Sequence, residues 1–169
     1  MSAMTIPMTI PARPAAKRRR LTPAELGAWR AFLRSHATVS RSLERALEGS
    51  DLTLAGYGVL VVLSETPDER LRLNEIAERI GMTKSGLSRL IDRLVGRGLI
   101  ERHACELDKR GQYAVVTPAG RRAFRRAAPG HLGAIAGRFA DHLSPAELTT
   151  LTRALERIAR ANSDCPEPE

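Results

Sequence analysis

A chain of 169 residues, 43% of them hydrophobic, has the length and apolar content for one domain with a core of its own. Only 4% is aromatic, so that core must come from Leu, Ile, Val and Ala, and no apolar run reaches the length of a membrane span. The two cysteines, Cys105 and Cys165, exclude a disulfide framework and suit a reducing cytoplasm.

The formal net charge of +8 is localised. Residues 70–126 hold 14 Lys or Arg against 6 Asp or Glu, while the remainder holds 13 of each. A basic surface confined to one segment favours a polyanion, because each neutralised phosphate releases condensed counterions.

Residues 1–20 read as a disordered basic arm. The cluster Lys17-Arg18-Arg19-Arg20 follows a weakly apolar stretch broken by three prolines, the reverse of a signal peptide. Thr22-Pro23-Ala24-Glu25 starts a first helix: Thr22 caps it, Pro23 suits the first helical position and Glu25 completes a capping box. Leu26, Trp29, Phe32, Leu33 and Leu43 carry it to about Glu48, and Gly49-Ser50-Asp51 ends it. Thr53 opens a second helix, apolar nearly all round from Tyr57 to Leu63 and therefore buried on most sides; Thr66-Pro67-Asp68 closes it. A third helix covers Leu73 to Ile80, with Gly81 placed for the left-handed residue after a helix end.

Thr83 caps a fourth helix over about 84–97. Its residues divide by face: Leu87, Leu90, Ile91, Leu94 and Val95 on one side, Lys84, Ser85, Ser88, Arg89, Asp92 and Arg93 on the other. Gly86 inside it costs ~1 kcal/mol relative to Ala; close approach to DNA or to the third helix would account for it. Two short strands, 99–103 and 113–117, flank a polar loop. Thr117-Pro118-Ala119-Gly120 opens a fifth helix, bent at Pro129-Gly130 and resuming through Leu132, Ile135, Phe139 and Leu143. Ser144-Pro145-Ala146-Glu147 repeats the capping signature before a last helix through Leu148, Leu151, Leu155 and Ile158; residues 164–169 read as a frayed tail.

Two helices, a tight turn and a basic hairpin have the layout of a winged helix-turn-helix, which places one helix in the DNA major groove. On the fourth helix, the short hydroxyls of Thr83, Ser85 and Ser88 permit close approach, while Lys84, Arg89 and Arg93 can donate to guanine edges or phosphates. In the hairpin loop, Asp108-Lys109-Arg110 forms a second constellation. Arg110 suits a narrow minor groove, and Asp108 would hold Arg110 or a nearby Arg extended through a bidentate pair. The fold class is mainly α with a small β-hairpin wing.

The chain resembles the MarR-type transcriptional regulators over about 22–160. The most specific match is Asp108-Lys109-Arg110-Gly111-Gln112-Tyr113-Ala114-Val115-Val116-Thr117, followed by the recognition-helix stretch from Thr83 to Leu94. The resemblance implies a homodimer on a near-palindromic operator, with 51–117 as the DNA-binding domain and 21–50 plus 118–163 as a helical dimerisation region. It also implies release by a small aromatic or anionic effector, for which Trp29, Arg30, His36 and Tyr57 are the candidates by helix order. The oxidant-sensing route of some members needs a Cys on the first helix, and there is none. Enzyme signatures are lacking: no Gly-rich phosphate loop, no His-Glu-x-x-His and no Gly-x-Ser-x-Gly. No cofactor or metal is expected, since His103, Cys105 and Asp108 lack a second pair of ligands. The rival reading is an architectural protein that coats DNA without sequence preference.

Overall fold

A computed structural model describes residues 19–66, 68–104 and 112–162. The elements run α1 (Pro23–Ala46), α2 (Leu54–Ser64), β1 (Arg70–Arg72), α3 (Leu73–Ile80), α4 (Lys84–Gly96), β2 (Ile100–Ala104), β3 (Gln112–Val116), α5 (Pro118–Arg138), a 3-10 turn (Ala140–His142) and α6 (Pro145–Asn162). Two compact units divide the chain, one ending at Ser35 and one beginning at His36.

In the first unit the capping box forms as written. Thr22 N donates to Glu25 Oε2 at 2.8 Å, and Glu25 N donates back to Thr22 Oγ1 at 3.3 Å. Arg19 adds a 2.9 Å hydrogen bond to the same carboxylate, and together these hold the Glu25 pKa at about 2. Trp29 and Phe32 stack with ring centroids 5.9 Å apart, and both are largely exposed.

The second unit carries the core. Val59, Leu60 and Leu63 of α2 meet Ile76 of α3, Leu87 and Ile91 of α4, and Ile100 and Ala114 of the sheet. α2 is buried on most sides, with Tyr57, Val59, Leu60, Val62 and Leu63 all covered. Thr53 caps it, accepting from Gly56 N at 3.1 Å.

The sheet has three antiparallel strands in the order β1-β3-β2. Sequence reading gives only the hairpin. The third strand, β1, is three residues long and pairs Arg70 with Val115 and Arg72 with Tyr113. Alternation sends Leu71, Ile100, Ala114 and Val116 inward.

The hairpin, α5 and the second half of the core meet at Thr117. Its Oγ1 donates to Gly98 O at 2.7 Å and accepts from Gly120 N at 3.0 Å, and its amide donates to Leu99 O at 3.1 Å. Gly120 packs directly over that last carbonyl: a Cβ there would lie 2.1 Å from Leu99 O.

α5 is one helix through Pro129-Gly130, and it departs from expectation by stopping at Arg138 instead of continuing to Leu143. Proline removes a single helical donor, and Ala123, Ala127 and His131 are buried on either side of it, so packing holds the helical register. The stop comes at Phe139, whose φ −136°, ψ −62° is not helical, and the 3-10 turn follows. α6 begins with its own capping box: Ser144 N donates to Glu147 Oε2 at 2.8 Å and Glu147 N to Ser144 Oγ at 3.4 Å. Neither α1 nor α6 contains a buried residue.

Candidate nucleic-acid interface

The turn between α3 and α4 determines how α4 presents its first residues. Gly81, at φ 68° and ψ 34°, donates to Glu78 O at 3.2 Å while Met82 N donates to Ala77 O at 2.9 Å. This paired closure ends α3 within one turn, and only Gly81, Met82 and Thr83 separate the two helices. Thr83 is extended and accepts from Gly86 N at 3.2 Å. Gly86 is explained by that cap: a Cβ would sit 3.0 Å from Thr83 Oγ1 and 3.4 Å from Met82 Cε.

Lys84 and Ser85 occupy the first turn of α4, where unpaired amides and the helix dipole favour an anion. Ser85, Arg89 and Arg93 recur at four-residue steps along one side, and these three and Lys84 are exposed. Arg89 Nε donates to Ser85 O at 3.4 Å, which lays its side chain along the helix. Leu87, Leu90, Ile91 and Leu94 bury the opposite face. Val95, expected with them, is 37% exposed near the helix end.

Ser88 is placed differently from its neighbours. It is half-buried, and its carbonyl and hydroxyl accept from Arg102 Nη2 at 3.1 and 3.4 Å. The same Nη2 lies 2.7 Å from Asp92 Oδ1, and Nη1 donates to Gln112 Oε1 at 3.0 Å. One guanidinium on β2 thus binds α4 and β3 together. Sequence reading passes over Arg102. The available clue is alternation, which puts it on the same strand face as buried Ile100, where a cation needs a partner.

Beside the hairpin, Arg70 and Arg72 of β1 pack on Tyr113. The guanidinium carbons lie 4.4 and 5.6 Å from the ring centroid, and Arg72 Nε donates to the Tyr113 hydroxyl at 3.3 Å. Asp108, Lys109 and Arg110 lie outside the described residues, as do Cys105 and the segment 1–18.

The effector candidates have different surroundings. Tyr57 belongs to the core, 4% exposed, its ring 5.0 Å from Phe124 and 4.1 Å from His131. This burial also pushes its pKa up. Trp29 and Arg30 are exposed residues of the unit ending at Ser35, and His36 is exposed on α1. Sequence reading also passes over His131, buried with Nδ1 unpartnered among the described residues and its pKa pushed down by burial. Among the described residues no group of three or more His, Cys, Asp or Glu is arranged to hold a metal, and no helix is long and apolar enough to cross a membrane.

A profile of the MarR family matches residues 50–111, a segment that begins between α1 and α2 and takes in α2, β1, α3, α4 and β2. AbsC, a MarR family transcriptional regulator from Streptomyces coelicolor, is 38% identical, with a TM-score of 0.78 over 85% of this chain and 97% of that one. The chain belongs to the MarR family. Sco3205, a MarR family transcriptional regulator from the same organism solved in complex with DNA, is 34% identical, with a TM-score of 0.81 over 86% and 92% of the two chains. The HTH-type transcriptional repressor YetL of Bacillus subtilis (strain 168) is 29% identical over 93 residues, 55% of this chain; the MarR-family chain spans 56% of that relative's length. The winged helix-turn-helix fold of this MarR-family chain is shared with these solved structures over nearly their whole length.

Proposed function

We propose that this MarR-family chain is a sequence-specific regulator of transcription, in the cytoplasm, that binds double-stranded DNA as a homodimer on a near-palindromic operator and represses the adjoining gene. Residues 51–117 form the DNA-binding part. Segments 21–50 and 118–163 form the dimerisation part. The observation that carries this reading is α4: a capped helix start with exposed Lys84, Ser85, Arg89 and Arg93 on one side and Leu87, Leu90, Ile91 and Leu94 buried in the core on the other. Such a helix presents short donors and cations to base edges while its backing is rigid. Asp108, Lys109 and Arg110 are assigned to the same DNA-binding role from their sequence.

The dimer is supported by helices that the single chain leaves uncovered. α6 is 18 residues with no buried residue, and Leu155 and Ile158 are 38% and 58% exposed. A lone amphipathic helix of that length is marginal in water and gains its stability by burying its apolar face. Repression is supported by the similarity to YetL, and DNA binding by the similarity to Sco3205, whose structure contains DNA.

A small aromatic or anionic effector completes the proposal. The reading is supported by a cavity of about 180 Å³ between α2, β3 and α5, with an apolar floor of Leu60, Val116 and Phe124 and with Ser64, Glu69, Arg121 and Arg125 at its polar side; Arg121 pairs with Glu69, so Arg125 is the cation that would meet an anionic ligand. Any effector acts by binding two conformations unequally, typically with ~1–3 kcal/mol of coupling to DNA affinity.

The test is fluorescence anisotropy with the DNA upstream of the protein's own gene against random duplex. The expected result is preference for the former and a steep loss of affinity with salt. Equal affinity for both would replace this reading with an architectural DNA-coating protein.

A further inference from the structure

The four contacts of Arg102 have a consequence for reading DNA that its own charge does not. Nη2 reaches Asp92 Oδ1 (2.7 Å), Ser88 O (3.1 Å) and Ser88 Oγ (3.4 Å) on α4, while Nη1 reaches Gln112 Oε1 (3.0 Å) on β3. Ser88 and Asp92 are one helical turn apart on α4. Gln112 pairs with Ala104 in the last rung of the described hairpin, so the tie is made at the end of the ladder farthest from the core rung Ile100–Val116. Apart from this guanidinium, the polar contacts described for that end of the hairpin are within the sheet.

We propose that Arg102 is a positioning residue for DNA recognition: its planar guanidinium sets the spacing between α4 and the β2–β3 hairpin, so that both meet the same duplex in register. The inference rests on the proposed DNA-binding function. A guanidinium suits the task because its donors are fixed in one plane and can span two elements at once, whereas an ammonium is a point donor on a flexible stem. The charge itself is largely matched by Asp92, so Arg102 is engaged with protein acceptors.

The experiment uses full-length protein and a duplex that the wild-type protein enriches from a random-sequence library, with Kd measured against that duplex and a scrambled one. Arg102→Lys, which keeps the charge, and Asp92→Asn, which removes a negative charge beside the proposed DNA face, are compared with wild type. Simple electrostatics leaves the first unchanged and tightens the second. Positioning lowers the selected-to-scrambled preference in both by about tenfold, the worth of one misaligned base contact. Thermal midpoints within about 3 °C of wild type establish that folding is retained; should Asp92→Asn fall outside that range, Gln112→Ala takes its place with the same expectation. Undiminished preference in either variant overturns the inference. Failure of the wild-type protein to enrich any duplex overturns the underlying DNA-binding function instead.

Discussion

Replacing Gly120 with alanine tests the junction between the hairpin and α5. The new Cβ would lie 2.1 Å from Leu99 O and 3.1 Å from Val116 Cγ1. A carbon and a carbonyl oxygen settle at about 3.3–3.6 Å, so α5 or the Leu99 carbonyl must move by more than an ångström. Three hydrogen bonds cannot survive that displacement together: Thr117 N to Leu99 O, Thr117 Oγ1 to Gly98 O and Gly120 N to Thr117 Oγ1. At ~1 kcal/mol each, and with ~1 kcal/mol returned by alanine's better helix propensity, the net loss is about 2 kcal/mol. For a chain of this length that is a Tm lower by roughly 4–8 °C. Circular dichroism melts at fixed protein concentration measure it. Gly58→Ala is the control, since a Cβ at that position in α2 meets nothing within 4 Å; its Tm should rise by up to about 4 °C. A Gly120→Ala melt within about 2 °C of the parent would refute the steric argument.

Other substitutions separate the roles of the charged groups. Arg89→Ala should weaken operator binding and relax base preference, whereas Lys84→Ala should weaken all duplexes alike and lower the slope of log K against log salt by about one; the two effects are read from anisotropy titrations at several salt concentrations. Leu155→Glu together with Ile158→Glu should shift the sedimentation mass from a dimer to a single 18.5 kDa chain; an unaltered mass would place the dimer contact elsewhere. Because burial lowers the His131 pKa, the unfolded chain takes up its proton first. Stability is therefore full above the ordinary His value of about 6.5 and falls as pH drops through it. His131→Phe should flatten chemical-denaturation stability across that range. Glu25 has the same sign at lower pH: the end of α1 loses stability between about 4.5 and 2, and Glu25→Gln abolishes that loss.

What the sequence discloses in advance is mostly local. Thr22, Thr53, Thr83, Thr117 and Ser144 all start helices where capping chemistry places them, because a cap is decided by residues within four positions. α3 is legible to the residue, since Gly81 marks its end and Leu73 its start. Features fixed by distant partners are harder to see. β1 is three residues whose pairing is set by β3, more than forty positions later. The continuity of α5 across Pro129 depends on Ala127 and His131 being buried, and burial belongs to the assembled core. The same holds for Tyr57, whose place in the helix order gave no indication of the Phe124 and His131 rings against it. Arg102 lies between: strand alternation hints at it, but the acceptors on α4 appear only when the hairpin folds back over the helix.

The ion pairs of the second unit bear on how the formal charge should be counted. Asp51 receives Arg97 at 2.8 Å and Arg126 at 3.9 Å, Glu69 receives Arg121, and Asp92 receives Arg102. Four of the 14 basic side chains in residues 70–126 are thus committed to intramolecular carboxylates, three of them to Asp51 or Glu69 outside that stretch. The number of ions displaced on complex formation should fall well short of the arithmetic of the sequence, and a salt titration that reports every cation in the segment would mean these pairs open when DNA arrives.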